Sequence, residues 1–410
     1  MKSFLARFFL MLGNIVIGLA VLEPAGMLRE LAGGLHVGIR DAGMLVTWGA
    51  VVLCIGSPLM AWLTTRMDRR LLLVGTLIVV AVAQGASALA PNYATVLALR
   101  LAMLAIAAIY TPQAAATVGL IVRDAERPSA IAFVFLGWSL AVAGGLPLVT
   151  FLTTHFGWRA GFVMLGAASA VIAALVFATL PHGLTGKPLS LASFVTIARN
   201  RRLVTILTVT MLQIAGQLTV FVYLAPLLRR LLGADSLTIE GFFALFGVAA
   251  LIGNVIATAV VTSLGTEVTL ALFLAATSLG LAVWTGGASA FTAAAVAIIF
   301  WGLGFAATNS MQQARLAETA PDLASASIAL NTSLVYVGQA IGSGIGGALF
   351  ARGAFTAMGF VGVAFMLAAC GLLAATWQRE RTLIVASPRR RSAPRPAAAS
   401  APRRCGIPRR

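Results

Sequence analysis

Residues Leu71 to Ala90 read LLLVGTLIVVAVAQGASALA, twenty residues without a charge. A bilayer core about 30 Å thick needs about 20 such residues for one helical span. Barrel strands alternate apolar and polar residues over about ten positions, but here and in residues 268–314 the apolar residues are almost continuous. Because backbone amides must be paired inside hydrocarbon, the stretch is predicted to be a membrane-spanning helix.

The composition of the whole chain indicates many more spans. Of the 410 residues, 60% are hydrophobic and 10% are charged, and the mean hydropathy is +0.97. A water-soluble surface needs more charge, which excludes a soluble enzyme, a secreted disulfide scaffold and a free nucleic-acid binder. The apolar runs predict twelve spans, at residues 8–28, 42–64, 71–90, 94–121, 131–153, 160–180, 203–225, 240–262, 269–287, 291–312, 328–350 and 356–377.

The twelve spans fall into two sets of six. The longest internal loop, residues 181–202, separates the sets, and the pattern of residues 145–162 returns in weaker form at residues 341–355. A duplicated six-helix unit is typical of secondary transporters built from repeats. The predicted fold is therefore all-α and integral to the membrane. Its parts are an N-terminal six-helix bundle at residues 1–180, a cytoplasmic connecting loop at 181–202, a C-terminal six-helix bundle at 203–377 and a tail at 378–410.

The positions of the basic residues predict the orientation of the chain in the membrane. Outside the spans, twenty-two lysines and arginines lie in segments on the same side as the N-terminus and six lie on the other side. The positive-inside rule therefore places both termini in the cytoplasm. The arginine-rich tail, 378–410, has too little apolar surface to fold and is predicted to be disordered. Its arginines either contact anionic lipid headgroups or only reinforce the topology.

Two ionisable side chains are predicted to lie inside spans, Glu23 and Arg100. Charged groups are costly in the membrane, so each is a candidate functional residue. At 1.5 Å of rise per residue, both lie about 7 to 9 Å below the same surface. Burial and a nearby guanidinium act in opposite directions on a carboxylate, so Glu23 is predicted to exchange a proton beside Arg100. Alternatively, Glu23 reaches headgroup water or pairs with Arg29 or Arg100 for structural reasons only.

Uncharged polar residues inside spans are candidates for lining a substrate cavity, and their alternative role is hydrogen bonding between packed helices. The best placed are Asn14, Tyr110, Gln113, Gln213, Gln217 and Asn309. Three scattered histidines and three cysteines give no metal-ligand spacing and no disulfide framework. No cofactor and no catalytic residue is therefore predicted, and the driving force is expected to be a proton gradient.

The loop between the second and third predicted spans carries a family resemblance. Residues 61–70 read Ala-Trp-Leu-Thr-Thr-Arg-Met-Asp-Arg-Arg and resemble the major facilitator superfamily signature Gly-x-Leu-x-Asp-Arg-x-Gly-Arg-Arg. Gly56-Ser-Pro-Leu59, Gly145-Leu-Pro147 and Phe156-Gly-Trp-Arg159 are similar to segments of its arabinose efflux permeases and drug–proton antiporters. The resemblance covers residues 8–377 and implies the twelve-helix major facilitator fold.

This resemblance also implies roles for individual residues. Arg66, Asp68, Arg69 and Arg70 match the family's cytoplasmic gate loop, although Thr65 stands where the family has Asp and Asp68 where it has Gly. Arg100 matches a helix-4 arginine linked in the family to proton coupling. The residues that match the helix-5 antiporter motif, which shapes a bend between the halves, are Gly137, Gly145 and Pro147; Val149 replaces a further expected Gly.

The predicted function is secondary transport in the inner membrane. The preferred hypothesis is proton-coupled efflux of a small organic solute such as a drug, sugar or metabolite, by alternating access and in a monomer without nucleic-acid partners. Uptake by proton symport is supported equally by the fold. A third hypothesis is a non-transporting scaffold or sensor with the basic tail as its interaction arm. A primary pump is disfavoured because the chain has no Gly-x-x-x-x-Gly-Lys-Ser/Thr loop to cradle ATP.

Overall fold

The computed structural model describes residues 2–64, 66–123, 127–185 and 191–386, and the ordered elements in these residues are helices. The helices of the N-terminal half are α1 (Lys2–Gly26), α2 (Leu28–Gly34), α3 (Ile39–Leu63), α4 (Arg69–Ala88), α5 (Tyr93–Ala107), α6 (Tyr110–Ile121), α7 (Arg127–Leu140), α8 (Leu146–Phe156) and α9 (Trp158–Thr179). Those of the C-terminal half are α10 (Leu191–Arg199), α11 (Arg201–Phe221), α12 (Leu224–Leu232), α13 (Ser236–Leu264), α14 (Thr266–Gly287), α15 (Phe291–Thr319), α16 (Ala324–Ala351) and α17 (Phe355–Ala386).

The predicted number of membrane spans is confirmed. The described residues contain twelve helical segments that are long and apolar enough to cross a membrane, and each overlaps one predicted span. Two of them are made of two helices: α5 and α6 together form the fourth span, and α7 and α8 belong to the fifth. The all-α, twelve-span fold follows from the apolar runs alone.

Three predicted spans are interrupted, which is a correction to the continuous helices expected at 94–121, 131–153 and 203–225. The interruptions are the junction of α5 and α6, a π-helical turn at Ala141–Gly145, and the junction of α11 and α12. Each interruption contains a residue that lies four positions before a proline. The pairs are Ala108 and Pro112, Ala143 and Pro147, and Val222 and Pro226. A proline has no N–H for that carbonyl and its ring crowds it, so the helical ladder breaks there.

Parts of the predicted connecting segments are helical. Within the loop at 181–202, α10 buries Ile197 beside Leu207 and Leu316, so its apolar face packs onto the C-terminal half. The last helix continues to Ala386, nine residues beyond the predicted end of the twelfth span, because helix propagation costs little once a helix is formed. The rest of the predicted disordered tail, 387–410, lies outside the described residues.

The two halves meet along two pairs of helices. In the first pair, α3 packs on α16, where the hydroxyls of Thr47 and Ser343 lie 2.8 Å apart. At the same place Tyr223, at the α11–α12 junction, donates its hydroxyl to the Ser343 carbonyl at 3.3 Å. In the second pair, α13 packs on α8 and on the π-helical turn, where Gly247 faces the backbone of Ala143.

The contact at Gly247 generates a stability prediction. A Cβ at this position would overlap the Ala143 Cα, so Gly247→Ala should force the α13 backbone away from the turn and lower the free energy of unfolding by about 1–3 kcal/mol. Gly241, on the same helix, has no atom within 4 Å of the corresponding Cβ position. Gly241→Ala should therefore raise the unfolding free energy by up to about 1 kcal/mol.

Thermal unfolding of the purified variants in detergent measures both effects. Equal melting temperatures for Gly247→Ala and Gly241→Ala would contradict close packing between α13 and the π-helical turn.

Candidate functional site

The carboxylate of Glu23 lies in the interior of the N-terminal half. The side chain is fully buried, so it does not reach water at the membrane surface. Its Oε1 accepts a hydrogen bond of 2.8 Å from Gln84 Nε2 on α4 and lies 3.5 Å from Arg100 Nη1 on α5. Its Oε2 has no hydrogen-bond partner among the described residues. The structure therefore brings together the two charged residues that the sequence places inside spans.

The guanidinium of Arg100 binds mainly to backbone carbonyls. Its Nε donates to Leu45 O on α3 at 3.0 Å, and its Nη1 and Nη2 donate to Ala20 O at 2.9 Å and Val21 O at 2.7 Å, both on α1. The Ala20 carbonyl needs such a donor because Pro24, four residues later, has no N–H. Arg100 therefore supplies a donor to a helix interrupted by proline and joins α1, α3 and α5.

The arrangement leaves the carboxylate incompletely paired. An ionised carboxylate in a dry interior is unfavourable unless both oxygens are satisfied, and here only one is. A positive charge nearby favours the ionised form, but at 3.5 Å the contact with Arg100 is long for an ion pair. Because the attraction between opposite charges falls with distance, the separation of these two side chains sets how strongly Arg100 favours the ionised form of Glu23.

Gln84 also belongs to this site, although it was not among the predicted residues. It is one of the few polar residues in the otherwise apolar stretch of residues 71–90, and that contrast was the available signal.

The polar candidates of the N-terminal half separate into two places. Asn14 Nδ2 donates to Val134 O at 2.9 Å and its Oδ1 accepts from Thr111 Oγ1 at 2.6 Å, so α1, α6 and α7 meet here. The hydroxyl of the neighbouring Tyr110 is buried without a partner among the described residues. Gln113 is not in this group, since its Oε1 accepts a hydrogen bond from Arg69 Nη1.

In the C-terminal half, three buried glutamines have amide atoms that are free within the described part of the chain. Both amide atoms of Gln213 and the Nε2 atoms of Gln217 and Gln339 have no hydrogen-bond partner there. Gln217 Oε1 accepts from Trp301 Nε1 at 3.3 Å, beside a cluster of phenylalanines. Asn309 instead accepts from Asn331 Nδ2 at 3.2 Å. Buried amides without partners can bind the polar groups of a solute.

The loop that precedes α4 is held to the segment after α9. Asp68 caps α4, since its Oδ1 accepts from the amides of Arg70 at 2.8 Å and Leu71 at 3.3 Å, and its Oδ2 accepts from the Gly183 amide at 2.6 Å. The Arg69 amide donates to Leu184 O at 2.9 Å. Desolvation raises the pKa of Asp68, but the three amides lower it by more, and the pKa lies below its ordinary value of 3.8.

The arginines of this loop point in different directions. Arg69 bonds to Gln113 on α6, while Arg70 bonds to the His182 ring and lies 3.9 Å from the centre of the Phe177 ring. These contacts stay within the N-terminal half and the connecting segment that follows it. Arg66 is exposed. The role of these residues in a gate between the halves stays a prediction.

The residues of the predicted helix-5 motif lie beside α1. A Cβ on Gly137 would meet the Met11 carbonyl oxygen at 2.6 Å, and one on Gly145 would meet the Leu19 side chain at 2.5 Å. Pro147 follows the π-helical turn. The small residues therefore allow the fifth span to approach α1, and the proline accounts for the bend next to α13.

The sequence profile of the Major Facilitator Superfamily matches residues 3–343. The chain belongs to this superfamily. It is therefore a multi-pass membrane protein and a secondary transporter, as the apolar runs and the family resemblance predicted.

Two bacterial proteins illustrate the similarity of this Major Facilitator Superfamily member to known relatives. The inner membrane transport protein YdhP of Escherichia coli (strain K12) is 26% identical over 344 residues, which cover 84% of this chain and 88% of that protein. A probable sugar efflux transporter of Mannheimia succiniciproducens is 25% identical over 355 residues, which cover 86% and 88%. The crystal structure of a D-xylose-proton symporter superposes with a TM-score of 0.72 at 17% identity, over 91% of this chain and 97% of that one. At this identity the superposition supports the fold alone.

The two oxygens of Asp68 allow its two functions to be tested separately. Asp68→Asn keeps a good helix cap but loses the acceptor for the Gly183 amide, so hydrogen exchange in residues 181–185 should accelerate while the start of α4 stays protected. Asp68→Ala should accelerate exchange in both segments and cost about 1 kcal/mol of stability. Because the pKa of Asp68 is lowered, its contribution is complete above pH 3.8 and is lost only as the pH falls through the lower folded value.

Asp235→Asn is the matched control, since Asp235 caps α13 without a bond to a distant segment. Unchanged exchange at residues 181–185 in Asp68→Asn would show that the loop is not held by this carboxylate.

Proposed function

We propose that this transporter exports a small organic solute from the cytoplasm in exchange for protons, with Glu23 as the proton-binding group. The proposal rests on the fully buried Glu23 carboxylate, which has one oxygen without a partner in the described part of the chain and the other 3.5 Å from Arg100. Ionisable residues inside a membrane protein commonly mark proton pathways.

The contacts around Arg100 supply a link between protonation and movement of the halves. Arg100 bonds to Leu45 O on α3, and two residues further along α3, Thr47 contacts Ser343 of the other half. When Glu23 binds a proton it loses its charge, so its attraction for Arg100 weakens. A shift of Arg100 then moves α3 against α16. In this way, proton binding favours one of two arrangements of the halves, as alternating access requires.

The free amides described above are the proposed solute contacts. Gln213, Gln217 and Gln339 contribute unpartnered donors in the C-terminal half, and Tyr110 contributes an unpartnered hydroxyl in the N-terminal half. The solute is therefore expected to carry several hydrogen-bonding groups, each matched to a buried polar group, because an unmatched group is costly.

The proposed direction rests on the basic residues and on the relatives. The face of the bundle that carries Arg66 also carries most of the basic loop residues, so it is assigned to the cytoplasm. The names of two relatives, an inner membrane transport protein and a probable sugar efflux transporter, support placement in the inner membrane and export. The likeness in fold to a D-xylose-proton symporter favours uptake as the second candidate function.

Everted membrane vesicles distinguish export from uptake. With an acidic lumen, an exporter that exchanges solute for protons should accumulate solute inside, whereas a symporter should deplete it. The solute for this assay is a compound whose toxicity falls when the chain is expressed in an efflux-deficient host.

Replacement of the carboxylate tests proton coupling. Glu23→Gln keeps the size and the hydrogen bond from Gln84 but cannot ionise, so solute counterflow should persist while accumulation driven by a pH gradient is abolished. Arg100→Ala should also lose the gradient-driven accumulation, because the carbonyls on α1 and α3 lose their donor. Both fluxes are measured in proteoliposomes.

Glu240→Gln serves as the control, since Glu240 lies on α13 away from this pair. If Glu23→Gln accumulates solute at the wild-type level in response to a pH gradient, Glu23 is not the coupling residue.

A disulfide across the halves tests alternating access. Thr47 and Ser343 have their hydroxyls 2.8 Å apart, so cysteines placed at both positions lie close enough to be oxidised to a disulfide. In a background with Cys54, Cys370 and Cys405 replaced by serine, oxidation of the double variant should abolish transport and a reductant should restore it.

Thr47→Cys alone, treated in the same way, should keep its transport. Full transport by the cross-linked protein would mean that α3 and α16 do not separate during the cycle.

A further inference from the structure

A cavity of about 380 Å³ lies between the halves, at the face of the bundle opposite the one that carries Arg66. This volume is in the range of small-ligand sites. The N-terminal half contributes the α1–α2 junction and the end of α8, and the C-terminal half contributes α12 and the start of α13. Both halves therefore have to be in contact for the cavity to exist.

Three arginines and a single acidic residue are among the residues that line this cavity. Arg29 comes from the N-terminal half, Arg229 and Arg230 come from the last turn of α12, and the carboxylate is that of Glu30. Arg229 Nη2 donates a long hydrogen bond of 3.4 Å to Ser236 Oγ, and Arg230 lies 5.9 Å from the centre of the Phe355 ring. An arginine offers five N–H donors, and positive side chains outnumber negative ones by three to one among the residues that line the cavity.

Helix and topology effects account for only a part of this cluster. Basic residues at the end of α12 interact favourably with the helix dipole, which accounts for Arg229 and Arg230. It does not account for Arg29, which reaches the same cavity from the other half. Only six basic residues lie in segments assigned to this face, and half of them line one cavity. Burial raises the pKa of Glu30, while its backbone hydrogen bond and the nearby Arg29 lower the pKa by less.

We propose that this cavity binds an anionic oxygen group, a carboxylate, phosphate or sulfate, held by Arg29 from one half and by Arg229 and Arg230 from the other. Arginine binds such groups through paired, charge-assisted hydrogen bonds. A bound anion bridges the halves and stabilises the arrangement in which this face is closed. The anion is either part of a free solute or the headgroup of an acidic phospholipid, and the chemistry of recognition is the same. The proposal does not depend on the direction of transport or on proton coupling.

Thermal unfolding of the delipidated protein in detergent tests binding of a free anion. Sodium phosphate and sodium sulfate should raise the melting temperature with saturation, beyond the effect of sodium chloride at equal ionic strength. Arg29→Gln and Arg229→Gln should each raise the half-saturating concentration about tenfold or more. Arg29→Lys keeps the charge and should retain a weaker response. Arg352→Gln, an exposed arginine that does not line the cavity, should respond like the wild type.

Nanodiscs identify the source of the anion. Phosphatidylglycerol should stabilise the wild type more than phosphatidylcholine, and Arg29→Gln should remove the difference, if the ligand is a lipid headgroup. A response to free phosphate or sulfate with no difference between the two lipids supports a solute anion. The proposal is overturned if neither ligand differs from its control, or if Arg29→Gln and Arg229→Gln respond like Arg352→Gln. Because the readout is binding, these outcomes are independent of the flux measurements on Glu23.

Discussion

The bond between the Arg100 guanidinium and the Ala20 carbonyl is the interaction on which the N-terminal half depends. Inside a bilayer, a backbone carbonyl without a donor is costly and water is not present to supply one. Pro24 creates such a carbonyl on α1, and Arg100 reaches it from α5 while it also binds α3. The Arg100 side chain, whose charge is costly inside the membrane, is therefore held mainly by backbone carbonyls. The Glu23 carboxylate lies beside it but is not its main hydrogen-bond partner.

The two members of the charged pair differ in how many hydrogen bonds hold them. Arg100 has three backbone acceptors, whereas Glu23 has one full hydrogen bond, from Gln84, and one oxygen without a partner among the described residues. Because the carbonyl acceptors of Arg100 lie on both α1 and α3, any shift of the guanidinium is passed on to α3. The carboxylate is held by fewer contacts, so a change in its charge disturbs fewer bonds than it would in a short ion pair.

The sequence predicted the number of spans and the Glu23–Arg100 pair because both depend on simple costs: apolar runs must be helical in lipid, and lone charges in lipid must meet. In the fifth span the family resemblance at Gly145 and Pro147 implied a bend. The breaks in the fourth and seventh spans were not predicted, although Pro112 and Pro226 each follow a break within four residues. Hydropathy does not distinguish a proline that bends a span from one that a side chain compensates, as Arg100 compensates Pro24. Likewise, Gln84 and Gln113 are both glutamines in apolar stretches, and the sequence does not distinguish them. The packing of α4 shows that Gln84 bonds to Glu23 and Gln113 bonds to Arg69.

The close approach of Gly247 to Ala143 has a mechanical consequence. The two halves approach there backbone to backbone, because Gly247 has no side chain that would hold α13 away from the π-helical turn. At such a contact, Gly247 has no side-chain rotamer that must change when one half rotates against the other. Resistance to that rotation then comes from Tyr223, whose hydroxyl lies against Gly43 of α3 and has to move before α3 separates from the C-terminal half.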